Sequence, residues 1–220
     1  MAIVGFSALI TIGGYAFYNE VVLNDLDRRV VVAEAGDTPQ ELKQSLQKDR
    51  AASRNAHFVI LGTDAYMSGT LDSDAPELVD RLLAHEPRVR RIIMINVPGT
   101  VDSSNSLVAA RKIYDAKVAT VVPRGGEIVS GGVDFFAAGT PHIVEEGAKV
   151  GVHSWAYYWF DILPDSGASK RNAKDPLHLE YINFYNTVDV DESFYWFTLR
   201  AAPPTELHYM TPEEIDKYFR

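Results

Sequence analysis

Two short stretches hold residue types able to do chemistry together. Gly-Glu-Ile-Val-Ser-Gly-Gly at 126–132 sets Ser130 between apolar residues and a glycine pair, and Val-His-Ser at 152–154 puts His153 at the end of an apolar run. A serine hydroxyl is a weak nucleophile until a neighbouring base takes its proton. A serine just before a helix leaves the next N–H without an intrahelical acceptor, so the Gly131 N–H is a candidate donor to a developing oxyanion. Gly131 and Gly132 let a substrate approach the backbone closely. The plainer reading is a helix cap and a hydrogen-bonded core histidine. The other histidines, His57, His85, His142, His178 and His208, show no metal-binding spacing, so no metal and no cofactor are expected.

These residues need elements to position them. From residue 57 on, apolar β-branched runs alternate with helical periodicity. His57–Gly62, Arg91–Val97, Lys117–Pro123 and Ala148–Trp155 read as strands. Segments 75–86 and 106–116 read as amphipathic helices, and 131–139 as a buried helix starting just after Ser130. Alternation of this kind predicts an α/β fold with a largely parallel sheet, whose sites lie off the carboxyl ends of the strands. Asn96–Ser104 runs from a strand end through Pro98-Gly99 into a helix and offers a second backbone donor. After 155 the chain turns aromatic, then loop-like over 163–176. Helices are expected at 177–188, 192–202 and 211–220, the last with Thr211 and Glu214 as a capping box.

The bulk composition narrows the function. The chain has 220 residues, 46% of them hydrophobic, enough for one well-packed domain. A net charge of -9 argues against nucleic acid as a partner. With no cysteine, a thiol nucleophile and a disulfide are excluded. Residues 2–18 carry no charge and read as a membrane anchor or uncleaved signal, the alternative being a buried hairpin turning at Gly13-Gly14. The organisation expected is thus an anchor or signal over 1–20, a polar linker over 21–55 with a short helix after Thr38-Pro39, and a catalytic domain over 56–220.

Taken in order, three motifs resemble the ClpP/crotonase superfamily, and within it the Clp protease proteolytic subunit and its shorter bacterial extracytoplasmic relatives. Residues 95–113 resemble the family's strand, Pro-Gly-Gly turn and helix; 126–139 resemble the nucleophile segment; 148–155 resemble the strand ending in the catalytic histidine. The resemblance implies Ser130 as nucleophile, His153 as general base, and the N–H groups of Thr100 and Gly131 as the oxyanion hole. It also implies a spiral of strand-strand-helix units with a C-terminal helical region, a homo-oligomer, and a place at the cell membrane or in the periplasm, with the cytoplasm as the alternative. Thr100 replaces the family's second glycine, Ser154 follows the histidine where no proline comes next, and Glu-Ile-Val precedes Ser130. The family's acid falls before a step matched here by Tyr209-Met210-Thr211. Glu206 is the closest acid to that step, although Leu207 aligns most simply, and Asp191 is the alternative. The expected activity is hydrolysis of a peptide or ester. The rival expectations are a crotonase-type acyl-CoA enzyme, with Glu127, Asp134 and Glu145 as available acids, and a non-catalytic scaffold on the same fold.

Overall fold

The computed structural model describes residues 25–48, 55–156, 158–159, 163–164, 168 and 171–219. A helical turn over residues 25–29 (α1) leads into β1 (Val30–Val32) and α2 (Pro39–Lys48). The antiparallel pair β2 (His57–Leu61) and β3 (Asp64–Ser68) follows, then α3 (Ala75–Leu83), β4 (Arg91–Val97) and α4 (Ser103–Asp115). Next come β5 (Ala119–Val122), β6 (Glu127–Val129), α5 (Gly131–Ala137), β7 (His142–Val144) and β8 (Lys149–Val152). The chain closes with the short pair β9 (Tyr158–Trp159) and β10 (Leu163–Pro164), then α6 (Pro176–Thr187), α7 (Ser193–Ala201), β11 (His208–Tyr209) and α8 (Pro212–Phe219).

β4 is the seam of the fold. Its first half, Arg91–Ile93, pairs in parallel with β5, and its second half, Asn96–Val97, pairs in parallel with β6. The sheet therefore divides. One arm runs β4-β5-β7, the other β4-β6-β8-β11, and β1-β2-β3 extend it on the far side of β4. Two strands and a helix make each turn of this winding, with α3, α4 and α5 packed in succession against one another. The chain is α/β and winds as the expected spiral of strand-strand-helix units.

The core lies between the sheet and these helices. Leu78, Leu82, Ile92, Met94, Val97, Ala109, Ala110, Ile113 and Phe135 are all buried there. α5 approaches β4 so closely that a Cβ on Gly132 would stand 2.6 Å from the Val97 carbonyl oxygen, which is why a glycine occupies that position. α4 begins one turn earlier than its periodicity predicted. Asp102 caps it, accepting from the Asn105 N–H at 3.1 Å. The expected capping box at Thr211 and Glu214 forms, with reciprocal bonds of 2.9 and 3.3 Å.

Residues 25–48 differ from the expected linker. Leu26 is fully buried in the main core, and β1 pairs with β2 as a sheet strand. Buried Arg29 donates to the Ala56 carbonyl at 2.8 Å and to Asp72 at 2.9 Å. α2 lays Leu42 and Leu46, its two buried residues, on Tyr66, Ile93, Ile95 and Val121. Two leucines one turn apart in a charged segment give a weak apolar signal, yet they close a second apolar cluster on the sheet. The apolar run at 2–18 lies outside the described residues. Among those described, no helix is long and apolar enough to cross a membrane.

Candidate active site

Three parallel strands end side by side. In the order β4-β6-β8, Val97 sits beside Ile128, and Val129 sits beside Gly151. Each strand is followed at once by residues singled out in the sequence: Gly99 and Thr100 after β4, Ser130 and Gly131 after β6, His153 after β8. Residues far apart in the chain thus meet at one sheet edge. Thr100, Ser130, Gly131 and His153 all line one pocket of about 230 Å³.

Ser130 is held in a sharp strand-to-helix turn. Its N–H donates to the Gly151 carbonyl at 3.0 Å and its carbonyl accepts from the Val133 N–H at 2.7 Å. Between these bonds the backbone takes φ 53°, ψ -129°, a region a non-glycine residue enters at a cost of about 1–3 kcal/mol. Its side chain makes no capping hydrogen bond. The cap reading of Ser130 therefore does not describe this residue. The hydroxyl is left for the pocket.

Thr100 shows how a threonine serves where the resemblance implies glycine. Its hydroxyl donates to the Leu71 carbonyl at 3.1 Å and accepts from the Asp102 N–H at 3.0 Å, fastening the turn. Leu71 bonds to the backbone on either side of Thr100, at Gly99 O and Val101 N, so the Thr100 N–H points away from the sheet partner. A Cβ built on Gly131 would lie 3.2 Å from the Thr100 nitrogen and 2.4 Å from its methyl. Among the described residues neither N–H, of Thr100 or of Gly131, has an acceptor. Two adjacent unsatisfied donors beside a serine hydroxyl can hold a negative oxygen.

The His153 Nδ1 lies 2.6 Å from the Ser154 carbonyl oxygen. A carbonyl only accepts, so Nδ1 carries the proton and Nε2 is left as the acceptor, the form a general base needs. Ser154 is itself anchored by its N–H to the Ala202 carbonyl at 2.8 Å. No hydrogen bond joins His153 to Ser130 in this structure. Glu206 is exposed in the turn after α7, its N–H bonded to the Pro203 carbonyl at 3.1 Å, and it does not line the pocket. Asp191 caps the start of α7, accepting from the Ser193 N–H at 2.8 Å. Of the named candidates, then, the fold gathers Ser130, His153, Thr100 and Gly131, and leaves Glu206 and Asp191 outside.

The pocket holds an acid whose setting the sequence did not reveal. Asp134 stands one turn after Ser130 on α5 and accepts from the Tyr185 hydroxyl. Its carboxyl keeps some surface on the pocket, but protein encloses it elsewhere. Burial pushes its pKa up to about 6, against a smaller lowering by the Tyr185 bond. The opposite wall is aromatic. Trp155 stacks on Tyr181 at 6.2 Å between ring centroids, and Tyr181 on Tyr195 at 5.2 Å. The Tyr195 hydroxyl is bonded to Trp155 Nε1 at 3.1 Å and to His178 Nδ1 at 2.6 Å. The aromatic richness of 155–196 was visible in the sequence; its convergence on Asp134 was not. Among the described residues no cluster of three His, Asp or Glu is placed to hold a metal ion.

No protein-family model and no curated protein sequence matches this chain. Solved structures do. A mutant of the 1510-N membrane-bound stomatin-specific protease aligns over 68% of this chain and 74% of its own, at 15% identity and a TM-score of 0.45. PA4980 of Pseudomonas aeruginosa aligns over 78% and 76%, at 15% identity and a TM-score of 0.41. An enoyl-CoA hydratase from Bacillus halodurans aligns over 74% and 69%, at 20% identity and a TM-score of 0.37. The likeness is one of chain path and brings no reaction with it.

Proposed function

We propose that the protein is a serine hydrolase that cleaves peptide or ester bonds. Ser130 Oγ attacks the substrate carbonyl and His153 Nε2 takes its proton. The carbonyl oxygen gains negative charge between the N–H groups of Thr100 and Gly131, each donor contributing about 3 kcal/mol in such sites. His153 returns the proton to the leaving group. Water, deprotonated by the same imidazole, then releases the acyl group from Ser130. The Ser154 carbonyl, rather than a carboxylate, holds the imidazole in its working tautomer. A Ser-His pair without an orienting acid retains part of the activity of a full triad.

One observation carries this reading. The ends of β4, β6 and β8 bring two unsatisfied N–H groups, an uncapped serine in a strained turn and a histidine into one pocket. The test is labelling with a fluorophosphonate probe. Wild-type protein is expected to label, Ser130→Ala to lose labelling entirely, and His153→Ala to label at least tenfold more slowly. Folded wild-type protein that does not label overturns the proposal.

Asp134 favours a second reading. A carboxyl titrating near 6 on the pocket wall suits acid/base work on an acyl thioester, with the same two N–H groups holding an enolate oxygen. That chemistry has no use for an activated Ser130, so the labelling experiment separates the two.

A further inference from the structure

The pocket beside Ser130 is acidic and aromatic at once. Of the described residues that line it, Asp134 is the only acid, and none is lysine or arginine. Asp134 has no ion-pair partner among the described residues. Two other acids withdrawn from solvent do have one: Asp72 pairs with Arg29 at 2.9 Å and Asp175 with Arg171 at 3.2 Å. A carboxylate withdrawn from water without a cation is costly, and such groups are normally paired. The Tyr185 hydroxyl occupies one oxygen of Asp134 and supplies no charge.

The facing wall has the matching property. Trp155, Tyr181 and Tyr195 form a stacked column whose π faces and hydroxyls are electron-rich. That column already attracts a cation of the protein's own, for the Arg171 guanidinium lies 5.6 Å from the Trp155 ring. At about 230 Å³ the pocket is smaller than the roughly 300–1,000 Å³ cavities that hold drug-sized ligands, and suits one extended side chain. Asp134 lies one helical turn from Ser130, so a group held by Asp134 belongs to a residue next to the bond under attack.

We propose that Asp134, Tyr185 and the Trp155–Tyr181–Tyr195 column form a subsite for a cationic side chain, selecting substrates with lysine, arginine or a similar cation beside the scissile bond. The ammonium or guanidinium pairs with the Asp134 carboxylate while its alkyl stem lies along the aromatic rings. This inference deepens the hydrolase reading and rests on it.

The experiment has a catalytic arm and a binding arm, both on the full chain at pH 8. Hydrolysis of N-acetyl-lysine thiobenzyl ester is compared with that of the norleucine ester, which lacks the ammonium. Wild type is expected to prefer lysine by at least tenfold in kcat/KM, and Asp134→Asn to lose that preference. Tyr185→Phe, which keeps the charge, is expected to retain it. In the second arm benzamidine and the neutral benzamide are titrated calorimetrically into Ser130→Ala. Benzamidine is expected to bind at least tenfold more tightly, with the difference gone when Asp134→Asn is added. Equal use of both esters by labelled wild type, or a lysine preference that survives Asp134→Asn, overturns the subsite and leaves the hydrolase reading standing. Wild type that neither labels nor hydrolyses either ester overturns the hydrolase reading, and with it the substrate selection. Equal binding of benzamidine and benzamide removes the subsite on its own.

Discussion

Ser130 combines its proposed role as nucleophile with an unfavourable backbone. A φ of 53° with ψ -129° is a region in which glycine pays no Cβ penalty. Replacing the serine therefore separates stability from chemistry. Ser130→Gly is expected to be more stable than Ser130→Ala by about 1 kcal/mol, within the 1–3 kcal/mol typical of such strain, while both fail to label. Urea denaturation of the two variants checks it; equal stability would mean that the strained turn costs the fold nothing. Ser130 and His153 were legible as candidates because their local surroundings, a glycine pair and a strand end, are written in adjacent letters. Asp134 was legible only as one acid among many. Its raised pKa comes from burial, and burial is not a property of nearby sequence.

At the level of elements, the short strands decide the site. β6 has three residues and β11 two, too few for any alternation to register, and β3 includes Asp64 and Ser68. They exist because neighbours supply the pairing: β6 lies between β4 and β8. α5 then has to cross β4 closely enough to place Gly131 beside Thr100. Gly132→Ala puts a methyl 2.6 Å from the Val97 carbonyl, a backbone atom with little freedom to yield. Overpacking of this kind costs about 1–3 kcal/mol, more than the roughly 1 kcal/mol that alanine gains over glycine in a helix. The expected result is a lower urea midpoint with an unchanged slope, together with slower labelling of Ser130. A variant as stable as wild type would show that α5 can shift without cost.

At the scale of the whole molecule, the folded domain takes in more of the chain than its composition implied. Residues 25–48 read as a charged linker, yet they add a strand, a sheet-covering helix and a buried cation to the domain. Arg29 is the residue to test. Its guanidinium bonds the Ala56 carbonyl and Asp72, with Asp74 at 3.3 Å. Removing one partner of a buried pair leaves the other charge uncompensated, at about 3–5 kcal/mol. Arg29→Ala is accordingly expected to lose about 3 kcal/mol by chemical denaturation, and a loss below 1 kcal/mol would return this segment to the status of a linker.

By itself the sequence determined the α/β class, most of the helices, the long strands and the placing of Ser130-Gly131 and His153 at the ends of strands, because each of these depends on spacing over fewer than about twenty residues. The tertiary structure decided the rest. It chose Ser154's carbonyl over Glu206 or Asp191 as the group bonded to His153, and it turned Asp134 toward the pocket and enclosed it with Tyr185. It also drew Leu26 and Arg29 into the core. Each of those outcomes depends on which strands lie side by side and on what is shielded from water, and neither is fixed by any one stretch of the chain.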